Sequence, residues 1–210
     1  MKTNDLISLL AQDAPVRLRL GRMLALALAV GILVSAGLLL STVGMRANMG
    51  SAIETIRVIF KLVVTFVLAV AACGLVFRVG RPGASLTISA WLLLPVAALV
   101  IAVASEMSVV PAEAWRANMM GRHAAFCVFF IPVLALAPLA GFLLALRNGA
   151  PESPGLAGAV AGLAAGAIAA ATYAWHCPDD SPLFVAAWYT LAITLVTGLG
   201  ALLGSRLLRW

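Results

Sequence analysis

Four of the chain's five cysteine and histidine residues lie outside or at the edge of the long apolar runs, in two short stretches. His123 and Cys127 stand four residues apart, a spacing that puts two side chains on one helical face. His176 and Cys177 are adjacent and run straight into Asp179 and Asp180. Two thiols and two imidazoles form a donor set for a soft divalent metal ion, so Cys127, Cys177, His123 and His176 are candidate ligands for a transient metal. The same two thiols could instead form a disulfide in an oxidising compartment, and three cysteines do not decide a pairing. Thiolates are also the side chains that oxidants attack most readily. Cys73 lies within an apolar stretch and reads as inert packing. The chain lacks Gly-x-Ser-x-Gly, His-Glu-x-x-His, a phosphate-cradling loop and Cys-x-x-Cys. It is therefore not expected to be an enzyme, nor to hold a resident cofactor.

The elements that must position these residues are membrane helices. Of 210 residues, 63% are hydrophobic and only 10% charged, and the mean hydropathy is +1.09. Soluble domains carry about 25% charged residues. Six apolar stretches, at about 23–43, 58–77, 87–105, 124–146, 155–175 and 183–205, are each long enough to cross a bilayer as a helix. The runs are unbroken, where barrel strands would alternate. The fold class is thus all-α: a polytopic bundle of six transmembrane helices, residues 23–210, preceded by a short amphipathic segment, residues 1–22. No cleavable signal peptide is expected, and Arg17, Arg19 and Arg22 before the first span read as a retained anchor. Pro95, Pro132 and Pro138 should bend the third and fourth spans. Lys61 and Glu106 lie near span ends, where a side chain can snorkel. Gly158, Gly162 and Gly166 share one face of the fifth span, and Gly200 and Gly204 repeat the spacing in the sixth. Such faces admit a second backbone closely, either inside the chain or at a homodimer seam.

The net charge of +6 does not point to nucleic acid, because the cationic residues are not gathered on a soluble face. They follow the positive-inside pattern instead. With both termini in the cytoplasm, nine of the fourteen lie on that side. The sulfur-bearing ends of the spans then face outward. In the amino-terminal segment Leu6, Ile7, Leu9 and Leu10 make a short apolar face flanked by Asp5 and Asp13. Acidic flanks suit a protein groove better than anionic lipid headgroups, so this segment is a candidate partner-binding element.

These residues together resemble the NrsF-type membrane anti-sigma factors of proteobacteria. The likeness rests on Asp5-Leu6-Ile7 with Leu10, on Cys127 early in the fourth span, and on the run from His176 through Cys177, Pro178, Asp179, Asp180, Ser181 and Phe184 to Trp188-Tyr189. The ending Arg206-Leu207-Leu208-Arg209-Trp210 adds to it. The resemblance implies a six-span protein of the bacterial inner membrane, inserted in the lipid bilayer with both ends cytoplasmic. It implies that Asp5, Leu6, Ile7, Leu9 and Leu10 hold a sigma factor of the extracytoplasmic-function class. It also implies that Cys127 and Cys177 sense heavy-metal or oxidative stress from outside. A membrane thiol oxidoreductase and a small transporter are the competing classes. The former should show a vicinal redox pair and the latter polar residues deep within the spans, and the sequence shows neither.

Overall fold

A computed structural model describes residues 20–81, 83 and 87–209. The described chain is helical, and the long helices are α1 (Leu20–Thr42), α3 (Ile56–Val79), α4 (Leu93–Val109), α6 (Ala124–Leu146), α7 (Pro154–Tyr173) and α9 (Thr190–Leu207). Shorter pieces are α2 (Met49–Ala52), α5 (Ala112–Met120) and α8 (Pro182–Phe184). Six stretches are long and apolar enough to cross a membrane, counting Thr87–Val109 and Pro182–Leu207 as continuous spans. A chain segment in hydrocarbon has no water to satisfy its N–H and C=O groups, so the apolar runs close those bonds internally as helices.

Prolines shape the spans in two ways. Pro95 falls in the first turn of α4, where its missing N–H costs no helical bond. The third span therefore enters through a 3₁₀ turn, Thr87–Leu92, rather than bending at its middle. Pro132 and Pro138 lie inside α6, which nevertheless runs unbroken from residue 124 to 146. Pro138 also forms part of the contact with α1, since a Cβ on Gly31 would come within 2.8 Å of its Cα.

The core gathers around α7. Thirteen of its twenty residues are buried, whereas in α4 only Pro95 and Glu106 are. Along the α7–α9 seam the backbones touch. A Cβ on Gly158 would meet Gly204 Cα at 2.6 Å, and one on Gly162 would meet Thr197 Cα at 2.8 Å. The small-residue face is thus filled by the chain's own sixth span, and a second copy would have to dock elsewhere. α1 lies along α6, with Ser35 Oγ donating to the Leu134 carbonyl at 2.7 Å and Gly141 packed on Ala27. At the start of α1, Leu20 wedges against Gly80 and Leu146, tying the entrance of the first span to the ends of α3 and α6.

Candidate functional site

One end of the bundle is closed by the segment 174–181, which links α7 to α8. A run of breakers creates it: His176-Cys177-Pro178-Asp179-Asp180-Ser181-Pro182 cannot continue a helix, and Pro182 restarts one as its first residue. Ser181 caps that restart, its Oγ accepting from Leu183 N at 3.2 Å. The next turn, Val185–Tyr189, is π-helical, which rotates Tyr189 relative to the α9 that follows.

The segment lays Cys177 on Cys127, in the first turn of α6, with the two sulfurs 3.7 Å apart. Both residues are 0% exposed. The pair is fully enclosed rather than in contact with solvent. Both thiols are reduced, and the separation exceeds a disulfide bond by about 1.7 Å. The shell around them is aromatic: Tyr173 stacks on Phe130 with ring centroids 6.1 Å apart, and Phe184 meets Tyr189 at 6.4 Å.

Charged residues hold the segment from three sides. Lys61 of α3 is completely buried, pairs with the Asp180 carboxylate and donates to the Cys177 carbonyl at 2.7 Å. Asp180 also receives Arg46 at 2.6 Å. Glu106, at the end of α4, accepts from Ser181 Oγ at 2.7 Å and from Leu183 N at 3.2 Å, with Arg57 at 3.3 Å. Lys61 and Glu106 therefore do not snorkel. Each turns inward because the returning segment supplies the carbonyls, N–H groups and carboxylate that a buried charge needs. On the third side, Asp179 accepts from the backbone N–H groups of Arg122 and His123. That approach depends on Gly121, whose φ of +54° favours glycine, and where a Cβ would stand 2.8 Å from the Asp179 carboxyl carbon. The Cys177 thiol is held below its usual pKa, first by its hydrogen bond with Cys127 and then by the Lys61 ammonium, against the opposing effect of burial.

The four candidate metal ligands are not brought together as a set. His123 precedes α6 instead of lying within it, and its Nδ1 is 3.2 Å from the Asp179 carboxylate. His176 Nδ1 is 3.0 Å from the Gly44 carbonyl. Among the described residues no three His, Cys, Asp or Glu side chains are grouped to hold a metal ion. Cys73 is buried in the apolar core. The partner-binding candidates Asp5, Leu6, Ile7, Leu9 and Leu10 lie outside the described residues. Sequence reasoning missed Lys61, Glu106, Tyr173 and Tyr189 as parts of this site. The one available signal was a lysine and a glutamate in a chain so poor in charge.

Two comparisons identify the architecture's relatives. The family described as "Negative regulator of sigma F" (NrsF) matches residues 10–210. The chain is 36% identical to a "Probable anti-sigma-F factor NrsF" of Azospira oryzae and 34% identical to the "Anti-sigma-F factor NrsF" of Caulobacter vibrioides, each alignment covering all of both chains. No solved structure matches. With a family match over nearly its whole length and relatives aligned from end to end, this chain belongs to the NrsF family of negative regulators of sigma F.

Proposed function

We propose that this protein is a membrane-bound anti-sigma factor. Its segment 1–22 sequesters an extracytoplasmic-function sigma factor and releases it when the Cys127–Cys177 pair is altered by a heavy metal or an oxidant. The observation that carries the anti-sigma role is the end-to-end similarity to two relatives named as anti-sigma-F factors. A regulatory role also suits a site whose reactive groups are enclosed, since thiol–disulfide exchange enzymes need a sulfur that a substrate can attack. The positive-inside pattern supports both termini in the cytoplasm of a bacterial inner membrane, where the sigma factor would be held close to its point of release.

The sensing part of the reading is supported by the 3.7 Å separation of two thiols distant in sequence, one on a span and one on a loop. Cross-linking or metal ligation would fix that loop to α6. A physical route then runs along α6 to α1, through the Ser35–Leu134 hydrogen bond and the Gly31–Pro138 and Ala27–Gly141 contacts. α1 begins at Leu20, and the amino-terminal residues precede it in sequence. Such contiguity is a candidate route, and coupling is a matter for measurement.

The test is a reporter for the sigma factor's regulon together with co-purification. Leu6→Asp or Leu10→Asp should release the sigma factor and switch the reporter on while the protein stays in the membrane, because a charge in an apolar groove is costly. Cys127→Ser and Cys177→Ser should each lock the output, whereas Cys73→Ser should respond as wild type. Unchanged sigma binding in a Leu6→Asp/Leu10→Asp double variant would overturn the anti-sigma reading. It would turn attention to a transporter or thiol oxidoreductase that works without residues 1–16. Full induction by cadmium or peroxide in the double cysteine variant would overturn the sensing reading.

A further inference from the structure

The third span is the most loosely seated of the six. Only Pro95 and Glu106 of α4 are buried, one toward each end. α4 meets α3 and, at Glu106, the start of α8, but it is not packed along α9. A cleft of about 280 Å³ is left between α4 and α9. Val64 and Thr65 of α3 and Leu163 of α7 form its floor. Val96 of α4 and Thr194 of α9, both exposed, stand at its mouth. Its α9 wall, from Thr190 to Thr197, advances about 10 Å, against roughly 15 Å of hydrocarbon in one leaflet.

The chemistry of the walls decides what can fill it. Three threonines line the cleft with their hydroxyls already bonded back into their own helices. Thr65 donates to the Lys61 carbonyl at 2.8 Å, Thr194 to Thr190 at 2.7 Å and Thr197 to Ile193 at 2.8 Å. Among the described residues no Asp, Glu, Lys, Arg or His lines it. Of the buried polar side-chain atoms in the lining, only the Tyr189 hydroxyl lacks a partner. One lone donor is too little for a polar ligand, whose other groups would be left unpaired. A trapped water likewise needs two to four polar partners. Left empty, the walls would forfeit dispersion contacts. Every lining residue belongs to a stretch that is long and apolar enough to cross a membrane, so the medium at the mouth is lipid hydrocarbon. An acyl chain brings apolar surface along its length and carries its only acceptors at the ester end.

We propose that the cleft between α4 and α9 is a lipid site that seats one acyl chain of a bilayer phospholipid. The seated chain packs against Val185 and Tyr189 of the turn that follows the closing loop, and against Thr65, four residues from Lys61. It thus lies under the charged closure and fills the gap that α4 leaves. The site depends on neither the sigma-factor reading nor the sensing reading.

The experiment uses the full-length protein in phosphatidylethanolamine–phosphatidylglycerol nanodiscs doped with a phosphatidylcholine that carries a diazirine midway along one acyl chain. Illumination attaches the lipid to the side chains it touches, and peptide mass spectrometry maps the adducts. Wild type should carry adducts on the cleft floor, at Thr65 and Leu163, as well as on the exposed, lipid-facing Leu33. Val96→Trp sets an indole across the mouth at a position already exposed, and it should abolish the floor adducts while leaving those at Leu33. Val100→Trp, four residues along α4, is equally exposed but outside the lining, and should label as wild type does. A labelled Leu33 with an unlabelled floor in wild type overturns the inference, whether the cleft is empty or covered by a second copy of the chain. Floor adducts that persist in Val96→Trp overturn it as well, because the lipid would then reach those residues by another path. So does their loss in Val100→Trp, which would trace the effect to a general disturbance of α4 and not to a plugged mouth.

Discussion

α7 and α9 are joined by two contacts of opposite character. Along their length they touch backbone to backbone, because Gly158 and Gly162 face Gly200 and Gly204 with no side chain between them. At the sulfur end they are joined by a loop pinned through Lys61, Asp180, Asp179 and Glu106. The first contact relies on van der Waals packing and tolerates no added atom. The second relies on buried charges and tolerates no lost partner. Only the second can be altered by chemistry at a single atom. The molecule thus has a fixed seam beside a chemically addressable closure, and the reactive sulfurs sit in the closure.

The largest effect should come from filling the seam. Gly200→Leu introduces a branched side chain where even a Cβ would stand 2.8 Å from Gly162 Cα. Backbone cannot yield as a flexible side chain does, so the cost should exceed about 3 kcal/mol, the upper end for overpacking. Folded protein should disappear from membrane extracts, as read by size-exclusion yield in mild detergent. A well-folded, fully abundant Gly200→Leu protein would show that the seam is not fixed.

Next comes the closure. Lys61→Met is close in size but leaves the Cys177 and Asp179 carbonyls and one Asp180 oxygen without their donor. Asp180 retains Arg46, so the cost should fall near the low end for a broken buried pair, about 3 kcal/mol. The protein should still insert. Its signature is local: Cys177, enclosed in wild type, should react with a membrane-permeant maleimide at least several-fold faster. Equal labelling rates would mean that Lys61 does not hold the loop. A smaller change is expected from Glu106→Gln. The amide oxygen can still accept from Ser181 or Leu183 N, and the Arg57 side chain whose pairing it weakens is half exposed. The loss should be about 1 kcal/mol, seen as a modest drop in melting temperature.

The two regions also differ in how far they could be read from the sequence. The seam was legible: a four-residue glycine spacing on two spans is a pattern of faces, and helical geometry alone turns it into a close approach. The six spans were legible from the length and apolarity of their runs. The closure was not, because its parts come from α3, α4, the α5–α6 turn and the α7–α8 loop, and no periodicity links them. Lys61 and Glu106 look like snorkelling residues because they sit near span ends. Their burial is decided by a loop more than seventy residues later that folds back over them. The four-residue rule misled for His123, since that residue lies just before the helix and not on its face. α5, tied down by Trp188 Nε1 donating to the Met119 carbonyl at 2.8 Å, falls between the expected third and fourth spans, where no long apolar run marks an element. Pro95 was expected to bend a helix whose start it marks instead.

The smallest effect offers the sharpest control on the comparison. Gly198 and Gly200 stand two residues apart on α9 and carry the same intrinsic helix penalty relative to alanine, up to about 1 kcal/mol. A Cβ at Gly198 meets nothing within 4 Å, whereas one at Gly200 runs into the Gly162 backbone. If the seam is specified by space alone, Gly198→Ala should leave the melting temperature unchanged or raise it slightly, and Gly200→Ala should lower it. Neither substitution touches the sulfur site, so cysteine reactivity should stay at the wild-type rate in Gly198→Ala. A destabilised Gly198→Ala would mean that α9 needs glycine for backbone freedom rather than for closeness, and the contrast between a packed seam and a charged closure would lose its first half.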